Sequence, residues 1–112
     1  MRRVVITGLG LVTPLGCGVE RSWENLIAGR SGVSAITKID VSDIPAKIAG
    51  QVARGTAPGE FNADEYIEPK EQKKMDEFIH FGMGAGSQAV EDAGIAALPE
   101  EVKLRTGVMI GS

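Results

Sequence analysis

The sequence predicts an α/β fold, and three segments carry that expectation. Residues 3–7 form a β-branched run that stops at Gly8. Residues 76–93 place apolar and small residues at spacings of three and four. Residues 106–110 form a second short apolar run. A strand, a helix, an irregular stretch, a long helix and a second strand in that order is the grammar of a parallel-sheet unit.

The first element is Arg3 to Thr7, read as a short buried strand. Residues 8–18 follow as a loop punctuated by Gly8, Gly10, Gly16 and Gly18, with Pro14 at its centre. A helix is expected from Val19. Val19, Trp23, Leu26 and Ile27 fall at i, i+4, i+7 and i+8, one stripe of a helix. Gly29 supplies its stop, because glycine accepts the left-handed conformation at a helix end. Residues 30–68 read as mostly irregular, with a candidate strand at Ile48–Val52 weakened by Gly50, and a loop over Gly55–Gly59.

Pro69 suits the first turn of a helix, where its missing N–H costs nothing. The long helix over 76–93 carries Met75, Ile79, Gly82, Gly86, Ala89 or Val90, and Ala93 along one side. Gly82, Gly84 and Gly86 inside it should each cost about 1 kcal/mol relative to alanine. Such a cost implies that another backbone approaches closely. Gly94 ends the helix, Pro99–Lys103 is a connection, and Thr106–Ile110 is a second buried strand, expected to lie parallel to the first.

The bulk properties exclude several classes. A net charge of −3 over 112 residues argues against a nucleic-acid partner. One cysteine, Cys17, permits no internal disulfide and fits a reducing compartment. The charged start at Arg2-Arg3 is followed by an apolar run too short for a signal peptide. No run approaches the ~20 apolar residues of a membrane span. A cytoplasmic location is the expectation.

Local candidates for chemistry are few. The glycine loop at 8–18 lacks the G-x-G-x-x-G spacing of a dinucleotide site, since Thr13-Pro14 follows Gly10 and the next glycine is Gly16. Cys17 precedes a helix, but the single histidine, His80, shares its helix side with Gly84, Ser87 and Glu91. That side reads as polar, which makes His80 a solvent-side or edge residue and Cys17 a small loop residue. One cysteine and one histidine cannot build an N/S metal site of four ligands. Neither a metal nor a cofactor is expected.

The lysine cluster is the most informative polar feature. Lys70, Lys73 and Lys74 fall at i, i+3 and i+4, on one helical face of an acidic chain. They are either an ordinary solvated face, partnered by Glu71, Asp76 and Glu77, or a docking patch for an acidic partner or a phosphate.

Four ordered segments bear a family resemblance. Arg2-Arg3-Val4-Val5-Ile6-Thr7-Gly8-Leu9-Gly10 with Thr13-Pro14-Leu15-Gly16 resembles the start of the β-ketoacyl-[acyl-carrier-protein] synthases, as does Trp23–Gly32. Residues 70–79, Lys70 to Ile79, are similar to the synthase II branch. Gly107–Ser112 is similar to the strand before the acyl-pocket loop. The resemblance covers essentially the whole chain. It implies the N-terminal part of a thiolase-like αβαβα fold, incomplete over 1–112 and contained in the first of two α/β halves, usually in a homodimer.

The implied activity is decarboxylative Claisen condensation in fatty-acid synthesis. An acyl group rests on a cysteine, and malonyl on acyl carrier protein loses CO₂ and attacks the thioester. The family's nucleophilic cysteine, two histidines and supporting lysine lie beyond position 112, and neither Cys17 nor His80 matches them. No catalytic residue is therefore expected in this chain, nor condensation by the isolated 112 residues. Lys70, Lys73 and Lys74 do match basic positions that contact the carrier protein. A polyketide-type ketosynthase, a chain-length factor and a stand-alone carrier-binding module are the alternatives.

Overall fold

A computed structural model describes residues 1–111. Its secondary structure starts with a tight antiparallel hairpin, β1 (Val12–Thr13) and β2 (Gly16–Cys17), with Val12 opposite Cys17 and Thr13 opposite Gly16. The segment expected as a glycine loop is thus a two-residue turn around Pro14-Leu15. Gly16 has φ of 146°, a backbone angle that favours glycine. Thr13 Oγ1 accepts the N–H of Leu15, which closes the turn from within.

Helix α1 (Val19–Ile27) packs its polar side on this hairpin. The hydroxyl of Ser22, a buried residue, donates to the Gly16 carbonyl at 3.0 Å, and Asn25 Nδ2 donates to the Leu15 carbonyl at 2.6 Å. The helix ends as expected at Gly29, φ 67°. The Gly29 N–H bonds to the Leu26 carbonyl and the Arg30 N–H to the Asn25 carbonyl, the paired bonds of a left-handed helix end. The predicted stripe is helical, yet Trp23, Leu26 and Ile27 stay more than half exposed. Trp23 and Leu26 border an open apolar cleft with Leu9, Pro14 and Val33.

The region expected to be mostly irregular contains a second antiparallel pair, β3 (Val33–Ala35) with β4 (Ile48–Gly50), the latter inside the candidate strand at Ile48–Val52, in the register Val33–Gly50, Ser34–Ala49 and Ala35–Ile48. Gln51 ties its far end, donating to the Ala35 carbonyl and accepting the Thr37 N–H. Arg54 and Phe61 then form an isolated bridge around the expected 55–59 loop. Asn62 caps a 3₁₀ turn, Ala63–Glu65, by accepting the Asp64 N–H.

Three helices follow. Pro69 opens the four-residue α2 (Pro69–Gln72). Helix α3 (Glu77–Asp92) is the predicted long helix, and Gly94, φ 65°, follows its end. The expected connection at Pro99–Lys103 is in fact a short helix, α4 (Glu100–Lys103), with Pro99 at its N-cap and acids in its first turn.

The two predicted strands differ from expectation. Residues 3–7 and 106–110 join no ladder among the described residues, so the expected parallel pair is not formed within this stretch. A strand exists only by its neighbour's hydrogen bonds. Val4, Val5, Ile6, Val108, Met109 and Ile110 are all at least 70% exposed. The radius of gyration, 16.8 Å, exceeds the about 13 Å of a compact domain of this length.

The core is small and centres on Phe61, with Ala63 and Ile67. Phe61 stacks on Tyr66 with ring centroids 5.7 Å apart and meets Phe81 edge-on at 5.2 Å. Of the three glycines expected to admit a close neighbour within α3, only Gly84 does so, and the neighbour is a side chain rather than a backbone. A Cβ at Gly84 would lie 2.6 Å from Phe61 Cε2, whereas Gly82 and Gly86 face open space. The tightest backbone contacts come from the N-terminal segment. A Cβ at Gly8 would lie 2.5 Å from the Ala93 nitrogen, and one at Gly10 would lie 2.8 Å from the Ala89 nitrogen.

Candidate partner-docking site

The three lysines stand on α2 and the turn that follows it. Lys70 lies within the helix, Lys73 is its C-cap residue with helical φ and ψ, and the Lys74 N–H bonds to the Glu71 carbonyl. The expected common helical face therefore spans a short helix and one further turn rather than a longer helix. All three lysines are exposed. Lys74 Nζ pairs with Glu71 Oε1 at 2.7 Å, a local i,i+3 contact worth little in solvent. Glu71 thereby takes the partner role expected for it, whereas Glu77 turns elsewhere.

Helix α2 buries none of its residues. What fixes it is Gln72. The Gln72 side-chain amide donates to the Ile67 carbonyl and to Asp64 Oδ1, both at 2.8 Å. Its backbone carbonyl lies 3.1 Å from His80 Nε2.

His80 is not the solvent-side residue its helix pattern suggests; it is 7% exposed. The buried residues of α3 are His80 and Gly84. The side read as polar faces inward there, because the ring of Phe61 needs the side-chain-free gap at Gly84. His80 Nδ1 lies 3.2 Å from Arg54 Nη2. A guanidinium only donates, so Nδ1 accepts, and Nε2 carries the hydrogen given to the Gln72 carbonyl.

Arg54 continues the network to Glu77. Glu77 Oε1 takes Arg54 Nη1 at 3.0 Å, and both of its carboxylate oxygens take Lys38 Nζ at 2.8 Å. The Lys38 hydrogen bond, with Arg54 behind it, holds the Glu77 carboxyl below its ordinary value against the opposing effect of burial. A carboxyl depressed in the folded state adds stability above its unfolded titration. That stability is lost as pH falls through the lowered folded value. Glu77→Gln is expected to narrow its stability deficit as pH drops below about 4.5. Urea midpoints taken from pH 7 to pH 3 check this; a deficit independent of pH would contradict it. The side chain is 39% exposed, so solvent screening keeps the effect below about 1 kcal/mol.

The side-chain hydrogen-bond partners of Cys17 are uncharged. Its sulfur lies 3.8 Å from Tyr66 Oη and receives Gln88 Nε2 at 3.5 Å. Burial, first among several causes, pushes the Tyr66 hydroxyl up. Gln88 also donates to Tyr66 Oη and accepts the Leu11 N–H. This cluster ties the hairpin to α3 and the core, in keeping with a structural role for Cys17.

Sequence reasoning missed Arg54 and Gln72. They stand 26 and 8 residues from His80, on segments with no periodic relation to α3, so no local signal could have joined them. No helix among the described residues is long and apolar enough to cross a membrane.

Comparison with known proteins follows the same outline. The family model "Beta-ketoacyl synthase, N-terminal domain" matches residues 1–112. The chain is 50% identical over its full length to a 3-oxoacyl-[acyl-carrier-protein] synthase 2 of Rhizobium meliloti (strain 1021), of which it covers 27%. It is 43% identical over 99% of its length to the enzyme of that name from Vibrio cholerae, of which it covers 25%. The chain thus spans about a quarter of the length of these relatives. Among solved structures, the ishigamide ketosynthase/chain length factor aligns with a TM-score of 0.70 and 33% identity, over 89% of this chain and 23% of that one. The expected thiolase-like α/β class stands on these matches. With its whole length matched to the N-terminal-domain model, the chain belongs to the β-ketoacyl synthase family.

Proposed function

We propose that the chain is the N-terminal portion of a fatty-acid β-ketoacyl-[acyl-carrier-protein] synthase II, residues 1–112 lying in the first thiolase-like half. The observation that carries this reading is end-to-end similarity to relatives named for that activity, at 50% and 43% identity. In the reaction, the acyl carbonyl leaves its carrier thiol for an enzyme cysteine. Malonyl thioester then loses CO₂, and its α-carbon attacks the acyl carbonyl and releases the cysteine thiolate. The groups for this chemistry lie outside the 112 residues, and the isolated stretch is proposed to be inactive. The full-length protein is a cytoplasmic homodimer in this reading.

The contribution of this stretch is scaffold and docking. Lys70, Lys73 and Lys74 are exposed on a turn of an otherwise acidic chain and would meet an acidic carrier protein by charge complementarity. Exposed lysines each contribute a few tenths of a kcal/mol, more when arrayed. Reversing all three to glutamate in the full-length protein is expected to raise KM for malonyl carried on carrier protein about tenfold. The same acyl group on free pantetheine should be far less affected. Equal effects on both substrates would refute docking at this site. The likeness to a ketosynthase/chain length factor makes a polyketide-type ketosynthase or chain-length factor the second reading; turnover with fatty acyl carrier protein substrates separates the two.

A further inference from the structure

The docking turn has no apolar anchor of its own. A helix of four residues is far too short to persist alone. None of its side chains is buried, so its geometry must come from polar ties. Two of these run through the Gln72 side chain, to Ile67 and Asp64, and stay within the segment that leads into the turn. A third crosses to another element: the bond between the Gln72 carbonyl and His80 Nε2. The Gln72 carbonyl lies between the Lys70 and Lys73–Lys74 positions along the chain.

His80 is built to serve as a rigid post. It sits in the first turns of α3, only 7% exposed, one turn before the gap that Gly84 leaves for Phe61. Its other nitrogen accepts from Arg54, whose guanidinium is held by Glu77 and lies 5.8 Å from the ring centres of Phe61 and Phe81. Donor and acceptor are thus both satisfied, and the direction of each bond is set by the arginine, which can only donate.

We propose that His80 is a positioning residue for the lysine face: its imidazole bridges Arg54 to the Gln72 carbonyl and holds the turn that presents Lys70, Lys73 and Lys74. It touches no substrate; it acts through α2. This inference rests on the docking reading of the lysines. It predicts a specific chemistry at position 80, namely one acceptor toward Arg54 and one donor toward Gln72. A glutamine carries both on one amide and can restore the bridge, whereas alanine or leucine cannot.

The test uses the full-length protein that carries this chain, with His80→Ala, His80→Leu and His80→Gln. Amide hydrogen exchange reads the turn directly. The N–H groups of Gln72, Lys74 and Met75 are expected to lose protection in His80→Ala and His80→Leu, and to regain it in His80→Gln. Steady-state kinetics reads the consequence. The two apolar variants should raise KM for carrier-borne malonyl about three- to tenfold relative to malonyl-pantetheine, as expected for one lost positioning contact, and the glutamine variant should return it toward wild type. His80→Leu keeps the site filled, so a loss shared by alanine and leucine but not glutamine separates the bridge from simple packing. Unchanged exchange at 72–75 in the leucine variant would overturn the proposal. So would loss in all three variants alike. If exchange changes as expected while charge reversal of the lysines leaves carrier KM unaltered, the post survives as structure. In that case its role in docking falls together with the docking reading.

Discussion

Phe61→Ala is expected to destabilise the protein by about 3–5 kcal/mol, the range for an aromatic removed from a close-packed core. Phe61 is 1% exposed, and it is the side chain on which the three strands of contact converge. Tyr66 stacks on one face, Phe81 meets it edge-on, and the backbone of α3 closes over it at Gly84. Its own backbone is also fixed, by the bridge to Arg54 and the bond from its N–H to the Ala53 carbonyl at 2.8 Å. Deletion would leave a cavity that neither partner ring can fill without leaving its other contacts. Phe61→Leu should lose less, since most of the volume remains. Chemical denaturation of both variants checks the order. A loss below about 1 kcal/mol for alanine would mean that the site collapses freely and that Phe61 is not the centre of the core.

Gly10→Ala is expected to cost about 3 kcal/mol, the upper part of the range for overpacking, although it adds one carbon. The new Cβ would lie 2.9 Å from the Ala85 carbonyl carbon and 2.8 Å from the Ala89 nitrogen, with the Ala85 oxygen nearer still. Those atoms belong to the backbone of α3, so no rotamer change relieves the clash. The segment around Gly10 must retreat, and it is held in place on either side. The Leu9 N–H donates to Asp92 Oδ2 at 2.9 Å and the Leu11 N–H to Gln88 Oε1 at 3.0 Å. Retreat therefore strains both bonds. Gly18→Ala provides the contrast, since a Cβ there meets nothing within 4 Å, although its φ of 95° still disfavours a side chain. Denaturation midpoints for the pair should show the larger loss at Gly10. Comparable losses would indicate that backbone angle rather than contact with α3 governs both glycines.

The long helix was legible from its spacing, its glycine stop and its flanks, because these are local properties of a chain. The same holds for α1, whose left-handed end at Gly29 follows from that residue alone. Pairings were not legible. The β3–β4 register depends on a partner some 15 residues away, and weak β propensity around Gly50 hid it. Periodicity also misassigned the inner side of α3. A helix pattern assumes that the apolar side is the buried side, but α3 buries Gly84 against Phe61 and His80 between Arg54 and Gln72. Lys70, Lys73 and Lys74 were visible as a charge cluster, while the Arg54–His80–Gln72 hydrogen bonds beside their turn were not.

The amino-acid sequence by itself determined the family, the α/β class, the positions of α1 and α3 and the lysine cluster. Each of these is written in residues near one another along the chain. Only the tertiary structure decided that His80 is buried and bonded through both nitrogens, that Gly8, Gly10 and Gly84 are the glycines α3 requires, and that α2 hangs from Gln72. The reason is physical. Burial and hydrogen-bond partnership are properties of what another segment places alongside, and in this chain those segments lie up to 83 residues apart, as for Leu9 and Asp92.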